Sequence, residues 1–176
     1  ELDVVNQPFS VEPVEQKIDY SSPLIERYSS RCIRCMRCVN VCWEVQGFGA
    51  YRLSGSGYET LIDTLNGEPL NCDFCGQCIQ ACPVGALINK LFKYRARAWE
   101  LTKIPSVCPY CGRGCQLELH VKEGRLYRVL SSDEDTINNG NLCSRGFFGY
   151  GFVHSEARPK GPKIRANGEL KDASWK

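Results

Sequence analysis

Twelve of the 176 residues are cysteine, and they are bunched rather than spread. The first group is Cys32, Cys35, Cys38 and Cys42, and the second is Cys72, Cys75, Cys78 and Cys82. The third is Cys108, Cys111 and Cys115, completed by the late Cys143. Thiols can pair as disulfides, hold zinc, or hold iron–sulfur cores. Disulfide scaffolds are usually short and secreted, with cysteines spread through the chain. Structural zinc usually draws on two separated CxxC-type pairs, and these groups do not divide into such pairs. Three thiols within seven residues, Cys32 to Cys38, suit one compact inorganic core better. The spacing therefore predicts three 4Fe–4S clusters, with every cysteine used.

Positioning these thiols requires two elements, and the sequence supplies the first as an internal repeat. A shift of 40 residues maps Cys32, Cys35, Cys38 and Cys42 onto Cys72, Cys75, Cys78 and Cys82. Phe48-Gly49-Ala50-Tyr51 then resembles Val84-Gly85-Ala86-Leu87, with four extra residues in the first copy. The double CxxCxxCxxxC pattern is the bacterial two-cluster ferredoxin signature, whose fourth cysteine serves the other cluster. The expected ligand sets are thus crossed. Cys32, Cys35, Cys38 and Cys82 hold one cluster; Cys72, Cys75, Cys78 and Cys42 hold the other. The fourth cysteine is expected to open a short helix. Pro83 follows the second copy, whereas Trp43 stands there in the first, a departure that bears on helix geometry.

The second element is a β-hairpin. Leu117, Leu119 and Val121 alternate, Glu123-Gly124 turns, and Leu126 to Leu130 returns, which carries the chain back toward Cys143. The fold class is α+β: a two-cluster ferredoxin-like module followed by a small β-hairpin-containing 4Fe–4S domain. The expected divisions are an extended lead-in over 1–30, the module over 31–103, the hairpin domain over 104–160, and an interrupted tail over 161–176. Ser54-Gly55-Ser56-Gly57 and Asn66-Gly67 mark loops between the copies. Leu87, Leu91 and Tyr94 are placed on one helix face, and Ala98–Ile104 as a strand.

Formal charge is +2, which gives no case for nucleic acid. Three oxidised cores with their thiolates, at roughly −2 each, bring the working total to about −4. Arg31, Arg34 and Arg37 interleave the first motif and Asp73 sits in the second, so the first cluster is expected at the higher reduction potential. The alternative is that these arginines form a solvated face or dock a partner. His120 reads as a strand residue, the tryptophans as packing groups, and no catalytic residue is assigned. No run of apolar residues is long enough to span a membrane, no secretory signal is visible, and a cytoplasmic location is expected.

The third group carries a further resemblance. Cys108-Pro109-Tyr110-Cys111-Gly112-Arg113-Gly114-Cys115 and Asn141-Leu142-Cys143-Ser144-Arg145-Gly146 resemble the N-terminal cluster domain of molybdopterin-dependent oxidoreductases, formate dehydrogenases most of all. Asp19-Tyr20-Ser21-Ser22-Pro23 through Cys42-Trp43-Glu44-Val45-Gln46-Gly47 resembles the same region of NAD-linked formate dehydrogenase α subunits, parts of which iron-only hydrogenases and complex I share. The resemblance implies an electron relay in a machine that oxidises formate or reduces carbon dioxide. Its implied partners are a flavin/NAD-binding redox subunit and, beside it, either ferredoxin or a molybdopterin or hydrogenase catalytic subunit. A pterin centre would need further domains or a partner. Arg145 stands where many relatives have Lys between cluster and pterin, and is either such a bridge or an ordinary hydrogen-bonding residue. The alternative function is a relay or adaptor subunit, without pterin, in an electron-bifurcating NAD(P)H–ferredoxin complex or hydrogenase.

Overall fold

The computed structural model describes residues 18–132 and 137–175. The lead-in over 1–17 and the residues 133–136 and 176 lie outside the described residues. Within the described residues the fold is mixed, with small helices and small sheets packed about one apolar core.

In chain order the first part contains β1 (Ile18–Asp19), β2 (Ile25–Tyr28), α1 (Arg37–Asn40), β3 (Tyr51–Ser54), β4 (Leu61–Thr64), α2 (Gln77–Ala81) and β5 (Leu87–Asn89). β2 pairs antiparallel with both β1 and β5, so residues 18–28 are built into the module and are not an extended lead-in. β3 and β4 form a separate hairpin between the two copies. Each copy bends through left-handed residues at matching positions: Arg34 and Met36 in the first, Phe74 and Gly76 in the second. These bends wrap the CxxCxxC stretch into a tight loop before α1 or α2 begins.

The helices differ from expectation in one respect. Each runs from the third cysteine toward the fourth and is not opened by the fourth. The copies diverge at their ends for a local reason. Pro83 bars helical geometry at the residue before it, and Cys82 is extended with ψ 113°. With Trp43 there instead, the first copy continues as a wider helical turn over Val41–Val45. The Trp43 indole donates to the Tyr51 carbonyl (3.0 Å) and its ring lies against Gly49.

The helix expected around Leu87, Leu91 and Tyr94 is absent. Leu87–Asn89 is drawn into the sheet with β2, and Asn89 Oδ1 accepts from the Leu91 amide (2.8 Å), which turns the chain. Lys93 pairs with Glu26 on β2, and Tyr94 is left-handed.

The second part contains β6 (Thr102–Val107), β7 (Gln116–Lys122), β8 (Arg125–Ser131), α3 (Ser144–Phe148), β9 (Lys163–Ala166) and β10 (Glu169–Asp172). β6 starts later than the alternation suggested, because Ala98–Glu100 is a tight turn closed by the Glu100 carboxylate on the Arg97 amide (3.0 Å). β6, β7 and β8 make an antiparallel sheet in that order. The β7–β8 turn uses left-handed Glu123 and Gly124, as a two-residue hairpin requires. β9 and β10 form a second such hairpin around left-handed Asn167 and Gly168, where the sequence pattern predicts no completed element.

Candidate metal centres

The fold gathers the twelve thiols into three neighbourhoods. Cys32, Cys35 and Cys38 share one cavity with Cys82. Cys72, Cys75 and Cys78 share a second with Cys42. Around Cys115 the neighbouring thiols are Cys108, Cys111 and Cys143. In the first two, the fourth thiol comes from the other copy, because each helix carries the chain away from its own loop. No three cysteine, histidine, aspartate or glutamate side chains among the described residues close on a point as a single metal ion needs. A tetrahedral zinc would hold four sulfurs at about 2.3 Å from one centre.

The donors around the sulfurs repeat as well. The Arg34 and Phe74 amides point at Cys32 and Cys72 Sγ (both 3.4 Å). The Ala50 and Ala86 amides point at Cys42 and Cys82 Sγ (3.2 and 3.3 Å). Such amides stabilise negative sulfur, so the donor set suits thiolates bound to a cationic core. Without one, burial pushes the Cys38 thiol up to about 11 and the Cys78 thiol well above its ordinary value, with neighbouring thiols adding to both. A bound cationic core reverses that balance.

The third neighbourhood is sewn together by Asn138, a residue that carries no signal in the sequence. It is buried, its Oδ1 accepts from the Gln116 amide (2.8 Å), and its Nδ2 donates to the carbonyls of Gln116 (3.1 Å) and Asn141 (2.8 Å). This ties the loop before Cys143 to the strand that leaves Cys115. The Cys108 amide closes the loop on the Cys115 carbonyl (2.8 Å). At Cys143 burial raises the thiol, but the Gly146 and Arg145 amides and the Arg145 side chain outweigh it and hold the thiol below its usual value. Arg145 also borders a cavity of about 480 Å³, beside Cys108, Tyr110 and His154.

The histidines have structural partners. Fully buried His120 lies between Glu118 and Arg128: Nδ1 accepts from the Arg128 guanidinium (3.2 Å) and Nε2 faces the Glu118 carboxylate (3.3 Å). Burial, then the Arg128 charge, holds it below its ordinary value. His154 Nε2 accepts from the Leu126 amide (2.8 Å).

The second and third neighbourhoods abut. Phe147 on α3, fully buried, lies against Gly76 between Cys75 and Cys78; a Cβ on Gly76 would collide with its ring. Gln77 donates to the Gly140 carbonyl (3.0 Å), and Gln80 exchanges hydrogen bonds with Ser131. Exposed thiols occur at the ends, Cys35 in the first set and Cys111 and Cys143 in the third, and none in the second.

Two family models match the chain. Residues 22–88 match the NADH-quinone oxidoreductase subunit 3 ferredoxin-like domain, and residues 101–155 match the molybdopterin oxidoreductase Fe4S4 domain. The chain is 47% identical over 164 residues to the NADPH-Fe(3+) oxidoreductase subunit alpha of Geobacter sulfurreducens, covering 93% of this chain and 19% of that protein. It is 33% identical over 154 residues to NADH-quinone oxidoreductase subunit 3 of Thermus thermophilus, covering 88% and 19%. It is 31% identical over 153 residues to the NADH-ubiquinone oxidoreductase 75 kDa subunit of Reclinomonas americana, covering 87% and 22%. The chain thus spans about a fifth of the length of these curated relatives. They do not single out formate dehydrogenase, so the expected likeness stands only at a coarser level. What the chain carries is an iron–sulfur electron-transfer region similar to that of NADH-quinone oxidoreductase-type subunits.

Proposed function

We propose that this chain holds three 4Fe–4S clusters and relays single electrons between them within a multi-subunit, NAD(P)-linked oxidoreductase. The ligand sets are Cys32, Cys35, Cys38 and Cys82; Cys42, Cys72, Cys75 and Cys78; and Cys108, Cys111, Cys115 and Cys143. The observation that carries this reading is the sorting of twelve thiols into three groups of four, two of which mix the repeat copies. Each cluster supplies a one-electron couple. The protein's part is to aim amides at the sulfurs and to seal the middle site with Phe147. The exposed thiols make the first and third sets the points of exchange.

At the first end we place a flavin/NAD-binding redox subunit or ferredoxin, since the exposed Arg31, Arg34 and Arg37 interleave the motif that carries exposed Cys35. At the third end we place the next redox centre. A formate-dehydrogenase-like machine would put a pterin there, supplied by further domains or a partner, and Arg145, two residues after Cys143 and lining the adjoining cavity, would then be the bridge. A pterin-free relay is the second reading, favoured by relatives named as NADH-quinone and NADH-ubiquinone oxidoreductase subunits. No helix among the described residues is long and apolar enough to cross a membrane. Twelve cysteines committed to clusters rather than to disulfides suit a reducing compartment, so we propose a cytoplasmic location.

Anaerobic purification of the full complex tests this. We expect about 12 irons per chain with broad absorbance near roughly 400 nm. Redox titration should resolve three one-electron EPR signals. Cys82→Ser should disturb the signal of the first set and spare the second. A colourless, zinc-loaded protein overturns the proposal, and loss of the second signal in Cys82→Ser overturns the crossed sets. Molybdenum or tungsten with pterin decides for the first reading over the second.

A further inference from the structure

The repeat offers an internal comparison. Tyr51 opens β3, and its counterpart in the second copy is Leu87, which opens β5. Tyr51 lines the second cavity and Leu87 the first. The two sites therefore differ at equivalent positions by a phenol in the second and an aliphatic side chain in the first. Tyr51 is only 2% exposed, and its Oη is a buried oxygen with no hydrogen-bond partner among the described residues. Tyr51 lines the second cavity together with Cys42, Cys72, Cys75 and Cys78, so sulfurs are its cavity neighbours, with the Arg27 guanidinium also near. The backbone cannot drift away, because the Tyr51 carbonyl accepts from the Trp43 indole (3.0 Å) and β3 is paired along its length with β4. A buried hydroxyl left unpaired is costly, and a leucine or phenylalanine would fill the space without that cost.

We propose that the Tyr51 hydroxyl donates a hydrogen bond to sulfur at the second set, at Cys78 Sγ, and is a positioning residue that raises the reduction potential of the cluster held there. The inference rests on the ligand sets proposed above. One electron from an external reductant adds one negative charge to the iron–sulfur core and its thiolates. The hydroxyl keeps its proton, no bond breaks, and its hydrogen bond strengthens with the charge it faces. The first site has hydrocarbon at the equivalent position. Tyr51 thus lifts the middle site toward the first, whose arginines act in the same direction, and reduces the step between them.

The test is an EPR-monitored redox titration of the full complex carrying Tyr51→Phe, which removes one oxygen and keeps the packing. The middle cluster's ratio of reduced to oxidised form at fixed potential should fall about tenfold, a downward shift of about 59 mV for one electron. The other two midpoints and the iron content should not move. An unchanged middle midpoint overturns the proposal, as does an equal shift in all three. If Tyr51→Phe fails to load iron, ring-fluorinated tyrosine at position 51 replaces it. Its more acidic hydroxyl is a stronger donor, so the middle midpoint should rise; a fall or no change overturns the proposal. Fewer than three signals in the unsubstituted complex would instead refute the ligand sets.

Discussion

Three exposed arginines interleave the motif that carries the most exposed thiol of the first set, and among the described residues none of them pairs with a carboxylate. Arg31 lies over the Tyr28 ring (4.2 Å), and Arg34 donates to the Tyr58 carbonyl (3.0 Å). Among the described residues neither they nor Arg37 meets a carboxylate, whereas Arg27 is held by Asp19 and Asp63. At the second set the nearby charge is the opposite one, Asp73 beside Cys72 and Cys75. The sequence shows these signs but not that Arg31 and Arg34 are anchored by aromatic and carbonyl groups that leave their charge unspent. Arg34→Glu/Arg37→Glu should lower the first cluster's midpoint and leave the third in place. Because these groups are exposed, the shift should shrink as salt rises. EPR-monitored titration at two ionic strengths measures both, and an unmoved first midpoint refutes the idea.

At the level of elements, cysteine spacing and the hairpin turn at Glu123-Gly124 are legible in the sequence because both are local. The bends at Arg34 and Phe74 repeat for the same reason: tight loops around sulfur leave the backbone few choices. What the sequence hides is set by partners far along the chain. Leu87–Asn89 has a helix-like spacing that strand pairing with β2 overrides. The Asn167-Gly168 turn is readable as a hairpin signal, but the polar strands beside it give no apolar alternation. Asn138 looks like an ordinary loop residue until its bonds to Gln116 and Asn141 are seen. Asn138→Ala strips the Gln116 backbone of both its partners there, at a cost of roughly 1–3 kcal/mol. We expect the third cluster's signal to broaden or disappear while the first two stay sharp. Iron counting with EPR checks this.

For the whole molecule, the central joint is Gly76 against Phe147. Gly76 is left-handed, with φ 78°, and sits on the loop of the second set; Phe147 follows closely on Cys143 of the third. The contact is absent from any local pattern, since the two residues come from different domains and neither is unusual alone. Gly76→Ala forces a Cβ into the ring and strains the backbone, at a cost of roughly 1–3 kcal/mol. The two domains should then separate more easily under denaturant, and electron exchange between the middle and third sites should slow. Stopped-flow reduction followed at both EPR signals measures this; unchanged rates would place the contact route elsewhere.

The exchange of fourth thiols between the copies has a consequence for how the protein is made. As the chain leaves the ribosome, the first loop is complete once Cys38 has emerged, yet its cavity still lacks Cys82. Cys42 emerges early and waits for a loop that ends at Cys78. Neither four-thiol cage exists until synthesis has passed almost the entire repeat. The two cages then close within a few residues of each other, with the nascent chain carrying open thiols until that moment.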